Sequence, residues 1–315
     1  MTVDPPTLHE FEAARDALRD VLRATPLVPI GGESERLLVK PETLQPAGSF
    51  KVRGVLWAVR SFDTETRARG VSTVSAGNTA KALAWAARRF GVTARSVMPD
   101  TAPRSKIDAL VALGGTPDLR PVGEVFRYLK ERGWEDEPYA FVHPWTSRAV
   151  RVGHGSMGLE ILEERPDVET VFLPVGGGGL LGGVGAALKA KKPGVRIIAV
   201  EPAECPALHA SLAAGRPTEV ACDTLCDGVA VPYITDEMYP VLAGLVDNVV
   251  LVTEQEVEAA IRGLIASAHL VAEGAGALAY AAAARTPVAE RGLSVAPITG
   301  GAIDLPVLRR ILSAD

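Results

Sequence analysis

Short apolar and β-branched runs alternate along this chain with longer stretches in which apolar residues return every third or fourth position. The runs at 71–74, 96–98, 140–142, 170–175, 195–200, 248–252 and 294–296 predict strands, since each is short and bounded by turn-forming or polar residues. The periodic stretches 79–90, 153–164, 182–191, 254–269 and 276–284 predict helices, several preceded by Ser, Thr or Gly where a cap is needed. A further helical stretch covers 55–60. Strand and helix in alternation, with no fixed-period repeat, is the pattern of an α/β protein with a largely parallel sheet. No linker rich in Pro, Gly or Ser divides the chain, so two domains have to be interleaved.

Composition narrows the class without naming a function. The 315 residues suffice for about two domain-sized units. With 47% hydrophobic and 23% charged residues the balance is that of a soluble globular protein. A net charge of −5 without a basic block, and only 5% aromatics, argue against nucleic acid as a partner. Neither a leader pattern at the N-terminus nor an apolar run long enough for a membrane span is expected to act here. Three cysteines, at 205, 222 and 226, cannot form a disulfide framework, which points to a reducing compartment and a cytoplasmic location. Cys222 and Cys226 have the spacing of a metal-ligand pair, yet no second Cys/His pair lies nearby, so no metal is expected.

Glycine-rich turns stand where strands are predicted to meet helices, at Ser75-Ala76-Gly77-Asn78, at Gly176-Gly177-Gly178-Gly179 and at Thr299-Gly300-Gly301. In an open parallel sheet that edge is where ligands bind. The run from Gly176 can turn successive N–H groups onto an anion beside a helix start, as a phosphate requires. It does not identify the phosphate's owner: Gly177-x-Gly179-x-x-Gly182, with Glu201 about twenty residues on, also satisfies the dinucleotide fingerprint, so an NAD-dependent dehydrogenase is an alternative. In Gly48-Ser49-Phe50-Lys51-Val52-Arg53-Gly54 one lysine sits in an apolar, glycine-punctuated setting that would lower its pKa and suit it to form an imine with a carbonyl cofactor.

Four motifs in this order, Ser49-Phe50-Lys51-x-Arg53-Gly54, Ser75-Ala76-Gly77-Asn78, Gly176 to Gly179 and Thr299-Gly300-Gly301, resemble the fold type II pyridoxal-phosphate enzymes, in particular the threonine/serine dehydratase and serine racemase branch. The resemblance runs from about 25 to 305 and includes Asp227-Gly228-Val229 and Val271-Ala272-Glu273-Gly274. It implies a tryptophan synthase β-like fold of two interleaved open-sheet domains, 1–68 with 147–315 as the large cofactor-binding unit and 69–146 as the small substrate-side unit. It implies pyridoxal 5'-phosphate held covalently by Lys51, with Phe50 against the ring, Gly176, Gly177, Gly178, Gly179 and the N–H of Leu180 on the phosphate, Asn78 on the ring hydroxyl and Thr299 at the pyridine nitrogen. Ser75, Ala76, Gly77 and Thr79 would meet the substrate, their N–H groups and hydroxyls taking its α-carboxylate or capping the helix.

Departures from the family pattern refine this expectation. Racemases of the branch carry a hydroxyl where this chain has Ala76, so a single base, Lys51, points to dehydration of a small β-hydroxy amino acid such as L-threonine or L-serine to a 2-oxo acid and ammonia. A β-replacement synthase and a hydroxyaspartate-type dehydratase are the alternatives within the fold, and Thr79, Ala302 and Trp145 leave room for a bulkier or acidic substrate. The carboxylate that would complete a cation site with Glu201 is missing, and Cys205 reads as a small buried apolar residue. His154 reads as a substrate-side donor or a cap at a helix start, and Glu273 as a group at the ring edge or a solvated helix-start carboxylate. By analogy the enzyme is a homodimer, and a chain ending at Asp315 is expected to lack a C-terminal regulatory domain.

Overall fold

A computed structural model describes residues 5–31 and 36–313; the opening residues 1–4, which entered the leader reading, lie outside them. Ten strands form two sheets: β1 (Val28–Ile30), β2 (Leu37–Pro41), β3 (Val71–Val74), β4 (Ala94–Pro99), β5 (Gly115–Arg120), β6 (Ala140–Phe141), β7 (Thr170–Pro174), β8 (Arg196–Pro202), β9 (Asn248–Val252) and β10 (Ser294–Ile298). The larger sheet has the order β1-β2-β10-β7-β8-β9 and is parallel apart from β1, which runs antiparallel to β2. The smaller has the order β5-β4-β3-β6 and is wholly parallel. Helices cover both, so β2, β3, β7 and β10 are buried along their whole length.

All seven strands expected from the sequence form, with ends moved by a few residues. The three not anticipated have plain causes. β1 and β2 flank a short connection, and β5 carries Pro117, Asp118 and Arg120 in the manner of the edge strand it is. The helix expected at 153–164 starts earlier, at Arg148, capped by the Ser147 hydroxyl. His154 therefore lies inside a helix, fully buried against the Phe50 ring at 4.7 Å between centroids, and is no cap.

The cysteine reading needs correction. Cys205 and Cys222 form a disulfide, with Cα atoms 4.3 Å apart. Asp223 N–H donates to the Glu204 carbonyl and Val220 N–H to that of Pro232, folding the loop before Cys226 back onto the end of β8. Cys226 is free and buried. Among the described residues no cluster of three metal-capable side chains occurs, and no helix is long and apolar enough to cross a membrane.

One ionic cluster locks the elements around Lys51. Arg53, buried on the helix Lys51–Ser61, gives two hydrogen bonds to Glu42 (2.7 and 2.8 Å) and two to Glu160 (2.7 and 2.8 Å). Lys40 on β2 pairs with Glu160 at 2.8 Å, and Thr25 donates to Glu42 at 2.6 Å. Burial works against all these charges, but the Arg53 guanidinium and Lys40 hold the Glu42 carboxyl below its ordinary range. Two cations and two carboxylates balance. Arg53→Met would leave the carboxylates without their shared partner, so urea unfolding is expected to register a loss of about 3–5 kcal/mol; a change below about 1 kcal/mol would give the cluster no more weight than a surface pair.

Candidate active site

The carboxyl ends of strands in both sheets open onto one cavity of about 500 Å³. Every residue that the pyridoxal-phosphate resemblance assigns to cofactor or α-carboxylate lines it: Phe50 and Lys51, the turn from Ser75 through Ala76, Gly77 and Asn78 to Thr79, the run Gly176 to Leu180, and Thr299. Trp145, Glu273 and Ala302 line it too; His154 does not.

Each segment is held there by identifiable local forces. β3 passes through the Ser75 turn, whose hydroxyl accepts from the Gly77 N–H at 3.1 Å, into the helix Asn78–Phe90. β7 passes through Gly176–Gly178 into the helix Gly179–Lys191. Gly178 has φ +87°, a conformation in which a side chain is strained, and a Cβ on Gly177 would come within 2.4 Å of the Trp145 ring. Two helix N-termini thus face the cavity, and both favour an anion. Phe50 N–H donates to the Thr299 carbonyl at 3.0 Å and Gly301 N–H to that of Gly48 at 3.1 Å, which staples the lysine segment to the end of β10.

The Lys51 amine stands 4.9 Å from the Phe50 ring centre and has no hydrogen-bond partner among the described residues. Burial lowers its pKa from the ordinary lysine range to about 8, against the opposing pull of the Glu273 carboxylate. Glu273 is itself buried and caps no solvated helix start: it accepts from Asn78 Nδ2 at 2.6 Å and from Ala302 N–H at 3.0 Å. Burial, then the nearby Asp227, raise its pKa. Asn78 Oδ1 stays buried without a partner. Thr299 donates to the Ala275 carbonyl over a long 3.3 Å.

Four charged groups at the cavity, Lys81, Lys106, Asp227 and Asp304, were given no role by sequence reasoning. Lys106 forms an ion pair with Asp227, and Ser105 donates to Asp304 at 2.6 Å, joining the helix Arg104–Ala112 of the smaller sheet to loops of the larger one. These pairs unite residues more than a hundred positions apart, so no local pattern marks them. Lys81 is different: it lies one helical turn beyond Asn78, a spacing that puts both on one face.

The dinucleotide alternative fails at Glu201. Its carboxylate accepts the N–H groups of Leu208 (2.7 Å) and His209 (2.8 Å) at the start of the helix Ala207–Ala214, so it is not free to bind a ribose. Burial raises its pKa to about 7, against those two hydrogen bonds.

Residues 18–300 match the model of the pyridoxal-phosphate dependent enzyme family. The chain belongs to that family. It is 40% identical to the L-threonine ammonia-lyase of Thermotoga maritima, over 98% of this chain and 78% of that protein. Among solved structures it is similar to maize serine racemase (TM-score 0.90, 29% identity, 98% of this chain and 97% of that one). It is also similar to the processed form of threonine deaminase isoform 2 from Solanum lycopersicum (TM-score 0.88, 31% identity, 99% and 95%). The cofactor is pyridoxal phosphate, and the residues present suit it: a partly buried amine of lowered pKa for the aldehyde, an orphaned Asn78 oxygen, and a glycine cradle that side chains would fill.

In the cofactor-free protein the rate at which added pyridoxal phosphate forms the lysine imine should rise with pH and level off above about 8, because only the neutral amine is nucleophilic. Stopped-flow absorbance measures it; a rate still climbing steeply towards the ordinary lysine pKa of about 10.4 would contradict the lowered value.

Proposed function

We propose that the protein is a pyridoxal-phosphate-dependent ammonia-lyase, which removes water from a small β-hydroxy amino acid, L-threonine or L-serine among them, and releases a 2-oxo acid and ammonia. The observation that carries this reading is one amine of lowered pKa at Lys51 sharing its cavity with an alanine at position 76. A base removes the α-proton from one face, and alanine cannot return it to the other, which suits elimination rather than racemisation. The threonine ammonia-lyase and threonine deaminase relatives, similar over nearly the whole chain, support the same reaction class.

Bound pyridoxal phosphate supplies an electron sink that acidifies the α-C–H bond of the attached amino acid. Lys51 would hold the cofactor covalently and, once displaced by substrate, would be the base that receives the α-proton. Phe50 would pack on the ring, Asn78 would meet the ring hydroxyl, and the N–H groups of Gly176, Gly177, Gly178, Gly179 and Leu180 would take the phosphate. Thr299 would face the pyridine nitrogen, and its hydroxyl, too weak an acid to protonate that nitrogen, would leave a modest sink. A modest sink serves when the departing hydroxyl drains the charge. Ser75, Ala76, Gly77 and Thr79 border the substrate, with the α-carboxylate at the start of the 78–90 helix. Residues 69–146 would act as the substrate-side unit and 1–68 with 147–315 as the cofactor-binding unit, in a homodimer; the Cys205–Cys222 disulfide removes the cysteine argument for a reducing compartment.

A panel of β-hydroxy amino acids assayed for ammonia and 2-oxo acid tests the reaction. Lys51→Ala is expected to lower turnover by at least a factor of about 10²–10⁴; full turnover in that variant would refute the assignment.

A further inference from the structure

Among the charged side chains that line the cavity, Lys81 alone is left without a task. Lys106 is paired with Asp227, Asp304 accepts from Ser105, Glu273 is held by Asn78 and the Ala302 N–H, and Lys51 belongs to the cofactor. Lys81 has no hydrogen-bond or ion-pair partner among the described residues, although it is partly buried on the 78–90 helix, one turn past Asn78. Burial lowers its pKa, Glu273 and Asp227 act to keep it charged, and Lys106 opposes them. An ammonium carried into a cavity at such a cost, with the neighbouring carboxylates already engaged, is a receptor for an anion that arrives from outside.

The anion sites expected of the cofactor and of the α-carboxylate are provided elsewhere, by the 176–180 run and by the turn at the helix start. What remains for Lys81 is a charge on the substrate's side chain. We propose that Lys81 is a specificity-determining residue that accepts a carboxylate on the β-carbon, so that the site also takes β-hydroxy amino acids with an acidic side chain, 3-hydroxyaspartate being the smallest. This rests on the elimination reading above. The balance is that of serine: the α-proton and the β-hydroxyl leave as water, water then adds back as the enamine hydrolyses, and 3-hydroxyaspartate yields oxaloacetate and ammonia with no oxidant or reductant.

The test uses the cofactor-loaded enzyme and its Lys81→Gln and Lys81→Arg variants, whose visible cofactor absorbance shows that they are folded. Ammonia release from 3-hydroxyaspartate and from L-serine gives the ratio of kcat/KM values, and calorimetry compares the binding of L-aspartate and L-alanine, which have no hydroxyl to lose. Lys81→Gln should lower the 3-hydroxyaspartate/serine ratio about 10- to 100-fold, chiefly through KM, as expected for one charge-assisted hydrogen bond. The preference for aspartate over alanine should fall in parallel, and Lys81→Arg should recover part of both. Equal losses on both substrates would assign Lys81 to the α-carboxylate and overturn the proposal, as would a wild-type enzyme that consumes serine but not 3-hydroxyaspartate. If no amino acid in the panel releases ammonia, the elimination reading fails, and the aspartate/alanine comparison still decides whether Lys81 receives a side-chain carboxylate.

Discussion

Arg53 carries a full charge where water does not reach, and the geometry of the site follows from how that charge is satisfied. Its guanidinium joins Glu42, just past β2, to Glu160 on the 148–164 helix, and Lys40 closes the cluster from β2. The reactive amine sits two residues before it on the same helix. The carboxylate that acts on Lys51 is Glu273, which is held by Asn78 and the Ala302 N–H; among the described residues none forms an ion pair with Lys51, and burial outweighs the pull of Glu273 on its pKa. The buried network thus fixes the helix that begins at Lys51 against β2 and the 148–164 helix.

Residues whose meaning is local were legible in the sequence. Strands such as 71–74 and 248–252 are apolar runs between clear breakers, and the Ser75 and Gly176 turns stand at strand ends where backbone N–H groups must point outward. For this reason the lysine segment, the Ser75 turn, the Gly176 run and Thr299 meet in one cavity. Misreadings arose where partners are distant. The start of the 148–164 helix depends on a cap at Ser147 that lies outside the apolar periodicity, and His154 was shifted to a helix end as a result. The edge strand β5 has the polar composition of a loop and becomes a strand only by pairing with β4.

Glu201 and Cys205 show the same limit on a smaller scale. Counting residues from the glycine run let Glu201 complete an alternative dinucleotide fingerprint, and Cys205 read as a small buried apolar residue. In space both are occupied: Glu201 by the first N–H groups of the 207–214 helix, Cys205 by Cys222. Spacing along a chain restricts what a side chain can reach, while the turn that follows decides what it does reach.

The bridge between Ser49 and Gly300, the bond from the Phe50 N–H to the Thr299 carbonyl and the one that the Gly48 carbonyl accepts from the Gly301 N–H carry a consequence for how the protein is made. The nucleophile is translated near the beginning and its scaffold near the end, some 250 residues later. A nascent chain paused anywhere between holds an amine with no wall behind it, and the central strand of the larger sheet is still missing between β2 and β7. The wall behind Lys51 is therefore complete only once β10 and the residues after it have been made.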